Sequence, residues 1–222
     1  LGPIIALITK TGLGLQIGFS VERWSGGNVF LALAIMMIAV IILGLEVPTV
    51  AAYLIAAVVA IPIIVRLGIS PEQAHMFAFY FGAFSGLTPP VGMSAIVASK
   101  IADSAYIKTA ILSVCAASAA FLVPYVFVFN KDLLLLSGTS TYSFFVSLSV
   151  TAIGLVMIQV GFVGYYFSRL KFLERCLAIL CGIAFLAFAS QGMYLFLLAG
   201  VILGLPLTVL SVGYRVKQKA VL

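Results

Sequence analysis

The chain has 222 residues, of which 64% are hydrophobic and only 8% are charged, and its mean hydropathy is +1.29. Soluble domains carry about 25% charged residues, so this chain cannot cover a water-facing surface and is predicted to be an all-α integral membrane protein. The net charge of +6 does not indicate nucleic-acid binding, because Lys and Arg lie mostly at the ends of apolar segments, where topology signals occur.

The first apolar segment, residues 3–21, is predicted to be a helix. It begins in the middle of an apolar pattern, with no initiator Met and no signal peptide before it. We therefore expect the chain to be the C-terminal piece of a larger protein.

Residues 29–66 are predicted to form a re-entrant helical hairpin. Asn28 can cap the first arm, and each arm is roughly 16–18 residues long, at the short limit for a full crossing. The sequence between the arms is "GLEVPT", in which only Glu46, Pro48 and Thr49 break the apolar pattern. Irregular backbone at membrane depth is tolerated only where it is buried in protein or lines a cavity, so we expect this tip to be enclosed.

Residues 72–102 are predicted to be one helix broken near its middle. Ser70 is placed to cap it and Pro71 to begin it, whereas "GLTPP" interrupts it. Each proline removes a backbone donor, and the carbonyl groups freed in this way need partners in a dry environment. A bound cation held by carbonyl oxygens and a Thr hydroxyl would supply that partner.

The rest of the chain is predicted to contain four complete spans. The first covers residues 105–129, a polar linker follows at 137–143, and three more spans cover 143–167, 171–189 and 192–212. The two basic clusters after position 168 then fall on one side, which the positive-inside rule makes cytoplasmic. By the same count, Asn130–Asp132 and both ends of the hairpin lie outside.

The hairpin tip and the broken helix together form the candidate site. Discontinuous helices place substrate and coupling-ion sites near the middle of the membrane in secondary transporters. A lone proline in a membrane helix is more often a simple kink, but two breaks that each contain Gly, Pro and Thr favour a site. No Walker-type loop and no catalytic Ser/His/Asp or Cys/His set is present, so we predict neither an ATP-driven pump nor an enzyme.

The segments "LGLEVPTVAAYL" (43–54), "YFGAFSGLTPPVG" (80–92) and "KTA…VPYVFVFN" (108–130) resemble the large permease subunit of TRAP transporters, the DctM-like proteins. The closest resemblance is to the fused permeases of the TAXI type. It covers residues 1–136, as the C-terminal half of the transport core, and residues 137–222 resemble the three-helix extension of the fused proteins.

The resemblance implies an elevator-type transporter built from inverted repeats, of which this chain holds the second, in a bacterial or archaeal inner membrane. It implies sodium-coupled import of an organic carboxylate, with no other cofactor. The implied partners are a periplasmic solute-binding protein and a small membrane subunit or its fused equivalent. The implied sodium-binding positions are Gly44, Pro48, Thr49, Gly86, Thr88, Pro89 and Gly92; substrate or tip contacts are expected from Glu46, Ser85, Pro90 and Ser94.

Three departures from the family pattern stand out. Glu46 is an acid where the family more often has a neutral residue, and it either serves the site or bonds to the tip backbone. Lys131 stands where a proline is expected, and the first repeat is absent, so this chain alone should not transport. Two alternatives stay open: another secondary transporter or channel that needs no binding protein, and a purely structural membrane subunit.

Overall fold

The computed structural model describes residues 2–45, 47–136, 138–166, 168–191 and 195–204. Within these ranges the chain is helical, with no strand other than an isolated bridge between Tyr165 and Arg169. This confirms the all-α prediction. The chain divides into two compact units, Leu1–Val114 and Cys115–Leu222.

The first unit is built from six helices and most of a seventh. They are α1 (Gly2–Thr11), α2 (Leu13–Ser25), α3 (Val29–Leu43), α4 (Thr49–Arg66), α5 (Pro71–Phe84), α6 (Met93–Ile101) and α7 (Tyr106–Ala116). Helices α3 and α4 cover the residues predicted as the re-entrant hairpin, and α5 and α6 cover those predicted as the broken helix.

Side-chain caps set the starts of two of these helices. The Asn28 side chain accepts a hydrogen bond from the Leu31 N–H at 3.1 Å. Ser70 and Gln73 form a reciprocal capping box at the start of α5, whose first residue is Pro71. Both starts agree with the sequence analysis, because a cap is a local signal.

The core of the first unit lies where α4 and α5 pack side by side. Phe77 and Phe81 of α5 are fully buried, as are Ala56 and Ala60 of α4. Burial of these apolar side chains where α4 and α5 pack together stabilises the contact between the two helices.

The segment predicted as one helix over 3–21 is two helices. Gly12 separates α1 from α2 and adopts a left-handed conformation with φ 65°. A glycine reaches this conformation without steric cost, so an apolar run can turn there with no proline to signal it.

In its described residues, the second unit contains two short 3-10 helices and four α-helices. They are the 3-10 helix Ser118–Leu122, α8 (Val123–Phe129), the 3-10 helix Lys131–Leu134, α9 (Thr141–Val163), α10 (Phe172–Gln191) and α11 (Leu195–Gly204). Helices α9 and α10 pack in close backbone contact, because a methyl group at Gly182 would place its carbon 2.5 Å from the Gly154 carbonyl oxygen.

The span predicted over 105–129 is also broken. α7 ends at Ala116, and a 3-10 helix leads into α8. The Gln159 side chain of α9 bonds to this break: its Oε1 accepts from the Ala119 N–H, and its Nε2 donates to the Cys115 carbonyl. The Ser118 hydroxyl lies 3.2 Å from Gln159 Oε1 and 2.9 Å from the Cys115 carbonyl oxygen. A distant glutamine therefore supplies the partners that the irregular backbone needs.

Within the described residues, three helices are long and apolar enough to cross a membrane: Thr49–Arg66, Thr141–Val163 and Phe172–Ser190. The bent pair formed by α7 and the segment Ser118–Phe129 would make a fourth. Of the last predicted span, residues 195–204 are helical, whereas 192–194, 205–212 and the basic tail lie outside the described residues. The predicted domain boundary at residue 136 stays a prediction.

Candidate functional site

One side chain joins the hairpin tip to the turn between α5 and α6. Ser85, which follows α5, is only 2% exposed. Its hydroxyl donates to the Gly44 carbonyl at 3.0 Å and lies 2.6 Å from the Gly82 carbonyl oxygen. The two breaks that the sequence separates by about forty residues are thus in direct contact.

This contact requires a glycine at the end of α3. A methyl group at Gly44 would place its carbon 2.5 Å from Ser85 Oγ and 3.1 Å from Ala52 Cβ. Gly82 is similarly close to α4, since a Cβ there would lie 3.2 Å from the Tyr53 backbone nitrogen. The small residues let backbone approach backbone where the helices end.

Four helix ends surround this junction. α3 ends at Leu43 and α5 at Phe84, and both C-terminal ends carry partial negative charge. α4 begins at Thr49, with Ala52 of its first turn beside Gly44, and α6 begins at Met93 after the turn. The N-terminal ends carry partial positive charge, so cation-favouring and anion-favouring groups lie next to each other.

Most carbonyl groups of the turn already have protein donors. The N–H of Thr88 donates to Ser85, that of Ser94 to Gly86, and that of Gly92 to Thr88. Among the residues the structure describes, no donor reaches the carbonyl oxygens of Leu87, Pro89 and Val91. The carbonyl groups that could still bind a cation in this turn are therefore these three, together with nearby hydroxyls.

The Thr88 hydroxyl is available as an oxygen ligand. It donates its proton to the Phe84 carbonyl at 2.8 Å, which leaves its lone pairs free to contact a cation. Thr49 lies exposed at the first position of α4. The structure therefore places Thr88 within the α5–α6 turn and Thr49 on the opposing arm of the hairpin.

The remaining predicted positions belong to the α5–α6 turn, to the start of α6 and to the α3–α4 connection. Gly92 is buried with φ 29° and precedes α6, a conformation that favours glycine. Pro89 and Pro90 are joined by a cis peptide bond. Pro48 and the Ser94 side chain are exposed, Gly86 is half-buried, and Glu46 lies outside the described residues.

Two tyrosines near the site were not found by sequence reasoning. The Tyr106 hydroxyl of α7 donates to the Pro90 carbonyl at 2.5 Å and so braces the turn. The Tyr53 hydroxyl lies 2.8 Å from Nδ1 of His75, which links α4 to α5. No local pattern marks either residue, because each partner lies at least sixteen residues away.

The family comparison agrees with this architecture. The family model described as "Tripartite ATP-independent periplasmic transporter, DctM component" matches residues 2–173. The chain belongs to the DctM family. No curated protein and no solved structure gave a significant match.

Membership of the DctM family makes the chain part of a multi-pass inner-membrane permease of TRAP secondary transporters. The family is a transporter component rather than an enzyme, and "tripartite" implies that it works with two further components. The match continues beyond residue 136, through α9 and into the start of α10.

Proposed function

We propose that this DctM-family chain forms the second inverted repeat of a sodium-coupled, elevator-type importer of organic carboxylates. In this proposal a periplasmic solute-binding protein delivers the substrate, and a small membrane subunit, fused as in the TAXI type, completes the transporter. The C-terminal ends of α3 and α5 would hold one sodium ion. This ion and the substrate would cross the membrane together.

The observation that carries the proposal is the contact between Ser85 and Gly44. It brings the C-terminal ends of two helices together at a buried point. Two partial negative charges in a low-dielectric environment repel each other, and a cation between them would stabilise the arrangement. A helix that was merely kinked would not need a second helix to end at the same place.

The proposed ligands are oxygen atoms, which sodium shares with other hard cations as its preferred donors. The carbonyl oxygens of Leu87 and Pro89 and the Thr88 hydroxyl belong to the turn. The backbone of Gly44, Gly86 and Gly92 and the Pro48–Thr49 segment frame them from both breaks. Thr49 would contribute its hydroxyl by a small shift of the hairpin tip.

The N-terminal ends of α4 and α6 suit the carboxylate of the substrate. Ser94 lies in the first turn of α6 with its side chain exposed, and Thr49 lies in the first turn of α4. The positive ends of the two helix dipoles favour an anion there. Neighbouring cation and carboxylate sites would couple the two binding events, as symport requires.

The test is transport by the full-length protein in proteoliposomes, with its binding protein and a sodium or potassium gradient. Transport should require sodium. Thr88→Val should raise the half-saturating sodium concentration about tenfold, because the loss of one charge-assisted contact is worth on the order of 1.5 kcal/mol. Thr88→Ser, which keeps the hydroxyl, should stay near wild type.

Thr11→Val is the matched control, since the Thr11 hydroxyl likewise donates to a carbonyl four residues earlier but lies outside the site. An unchanged sodium requirement in Thr88→Val would remove the ion-site assignment. Transport without the binding protein would favour a transporter or channel of another kind. Replacements in the turn that change only stability would favour a structural subunit.

A further inference from the structure

The second unit contains a cavity at one end of the α9–α10 pair. It has a volume of about 350 Å³ and lies between the end of α8, the start of α9 and the end of α10. Its wall includes the apolar side chains of Phe129 and Val146 together with charged and hydroxyl groups. Neither the transport site nor the family assignment explains this cavity.

Among the described residues that line the cavity, Lys131 and Asp132 supply one charge of each sign. Lys131 is exposed at its rim and has no ion-pair partner among the described residues. The Asp132 carboxylate accepts hydrogen bonds from the hydroxyls of Thr139 and Ser143. The two formal charges cancel, so a ligand that carries both charges fits better than a simple anion or cation.

Two hydroxyl side chains below the rim make no hydrogen bond with any residue that the structure describes. Ser147 lines the cavity, is 9% exposed, and makes no hydrogen bond with any described residue. Thr151, one turn further along the same face of α9, is 6% exposed and its Oγ1 is also without a partner in the described part of the chain. Because Ser147 lines the cavity, a ligand that reaches into the cavity can form a hydrogen bond with its hydroxyl.

The cavity lies at the level at which lipid headgroups are expected. α9 and α10 are both long enough to span the bilayer, so the end of the pair where α9 begins lies at the membrane surface. Tyr142, 80% exposed, lies at the cavity as interfacial aromatic residues do. Phe145 and Leu148 follow on α9 with exposed side chains that acyl chains can contact.

We propose that this cavity binds the headgroup of a zwitterionic phospholipid that carries a primary amine. The phosphate pairs with Lys131, and the ammonium group donates to the Asp132 carboxylate and to the Ser147 hydroxyl. An anionic headgroup has no positive group to pair with the Asp132 carboxylate. A quaternary amine has no N–H to donate to the oxygens.

The experiment measures lipid retention by native mass spectrometry of the full-length protein. The probes are phosphatidylethanolamine, phosphatidylglycerol and phosphatidylcholine with identical acyl chains. The wild type should retain phosphatidylethanolamine in preference to the other two. Lys131→Ala and Ser147→Val should each weaken that retention about tenfold, because each removes a charged or hydrogen-bonding contact to the headgroup.

Ser149→Ala is the matched control, because Ser149 is exposed on the same helix and bonds only to the Phe145 carbonyl. If Ser147→Val fails to fold, Lys131→Ala, at an exposed position, carries the test. Equal retention of the three lipids, or equal effects of Ser147→Val and Ser149→Ala, would overturn the proposal. So would glycerophosphoethanolamine binding as tightly as the intact lipid, since the ligand would then be a soluble solute.

Discussion

The Ser85 hydroxyl has one proton and two carbonyl oxygens within reach, one on its own helix and one on the hairpin. A serine that follows a helix commonly bonds only to its own backbone, whereas this one also reaches Gly44 across forty residues. The contact depends on the missing side chain at Gly44, because even a methyl group would occupy the place of the hydroxyl. One serine and one glycine therefore set how closely the two breaks approach.

We expect Gly44→Ala to lower the free energy of unfolding by about 1–3 kcal/mol, the usual cost of overpacking. Its backbone conformation suits alanine, so the cost arises from the clash with Ser85. Adding Ser85→Gly removes the clashing atoms and should restore part of the lost stability. Thermal unfolding of the purified full-length protein measures both effects.

Gly86→Ala is the control for this pair. It lies in the same turn, and its new Cβ would meet only the Ala83 carbonyl oxygen, at 3.6 Å. It should change stability little. Equal losses in Gly44→Ala and Gly86→Ala would show that the close contact with Ser85 does not matter.

Two helix breaks in this chain obtain their hydrogen bonds in different ways. The α5–α6 turn is closed mostly by its own backbone, with Tyr106 added at Pro90. The break after α7 depends on Gln159, which reaches it from α9. Because the α5–α6 turn bonds mostly to its own backbone, some of its carbonyl oxygens stay free for a ligand. In the break after α7, the side chain of Gln159 takes that place. This difference supports a binding role for the first break and a structural role for the second.

We expect Gln159→Leu to cost about 2–4 kcal/mol in the free energy of unfolding, since three hydrogen-bonding contacts, two of them partly buried, are lost. The Ala119 N–H loses its acceptor, so its hydrogen exchange should become faster. Gln16→Leu, at an exposed position of α2, should leave exchange at residues 115–119 unchanged. Unaltered exchange of Ala119 in Gln159→Leu would show that the break does not depend on this glutamine.

At the scale of the whole molecule, the lengths of α3 and α4 bear on how the hairpin lies in the membrane. α4 satisfies the length and composition of a complete span, whereas α3 has only 15 residues. A re-entrant hairpin has both ends on one face of the membrane, and a spanning pair that starts outside also returns there. The re-entrant hairpin and the spanning pair differ in how deep the α3–α4 connection lies in the membrane. This connection lies beside the buried Ser85.

We expect cysteines introduced at Arg23 and Arg66, both exposed, to react with a membrane-impermeant maleimide from the periplasmic side. A cysteine at Val47, near the tip, should react from neither side unless the transport site is open to it. The background protein needs replacement of Cys115, Cys176 and Cys181. Labelling of Val47→Cys from the cytoplasm, with the two arginine positions labelled outside, would make the hairpin a spanning pair.

The sequence by itself determined that the protein is an all-α membrane protein, where α3 and α5 begin, and where the two Gly/Pro breaks lie. These features depend on composition and on local caps such as Asn28 and Ser70, which act within a few residues. Only the tertiary structure decided that Ser85 joins the breaks, that Gly12 interrupts the first helix, and that Gln159 stabilises a third break. A hydrogen bond between residues forty positions apart has no local pattern, because its partners meet only after the helices have packed.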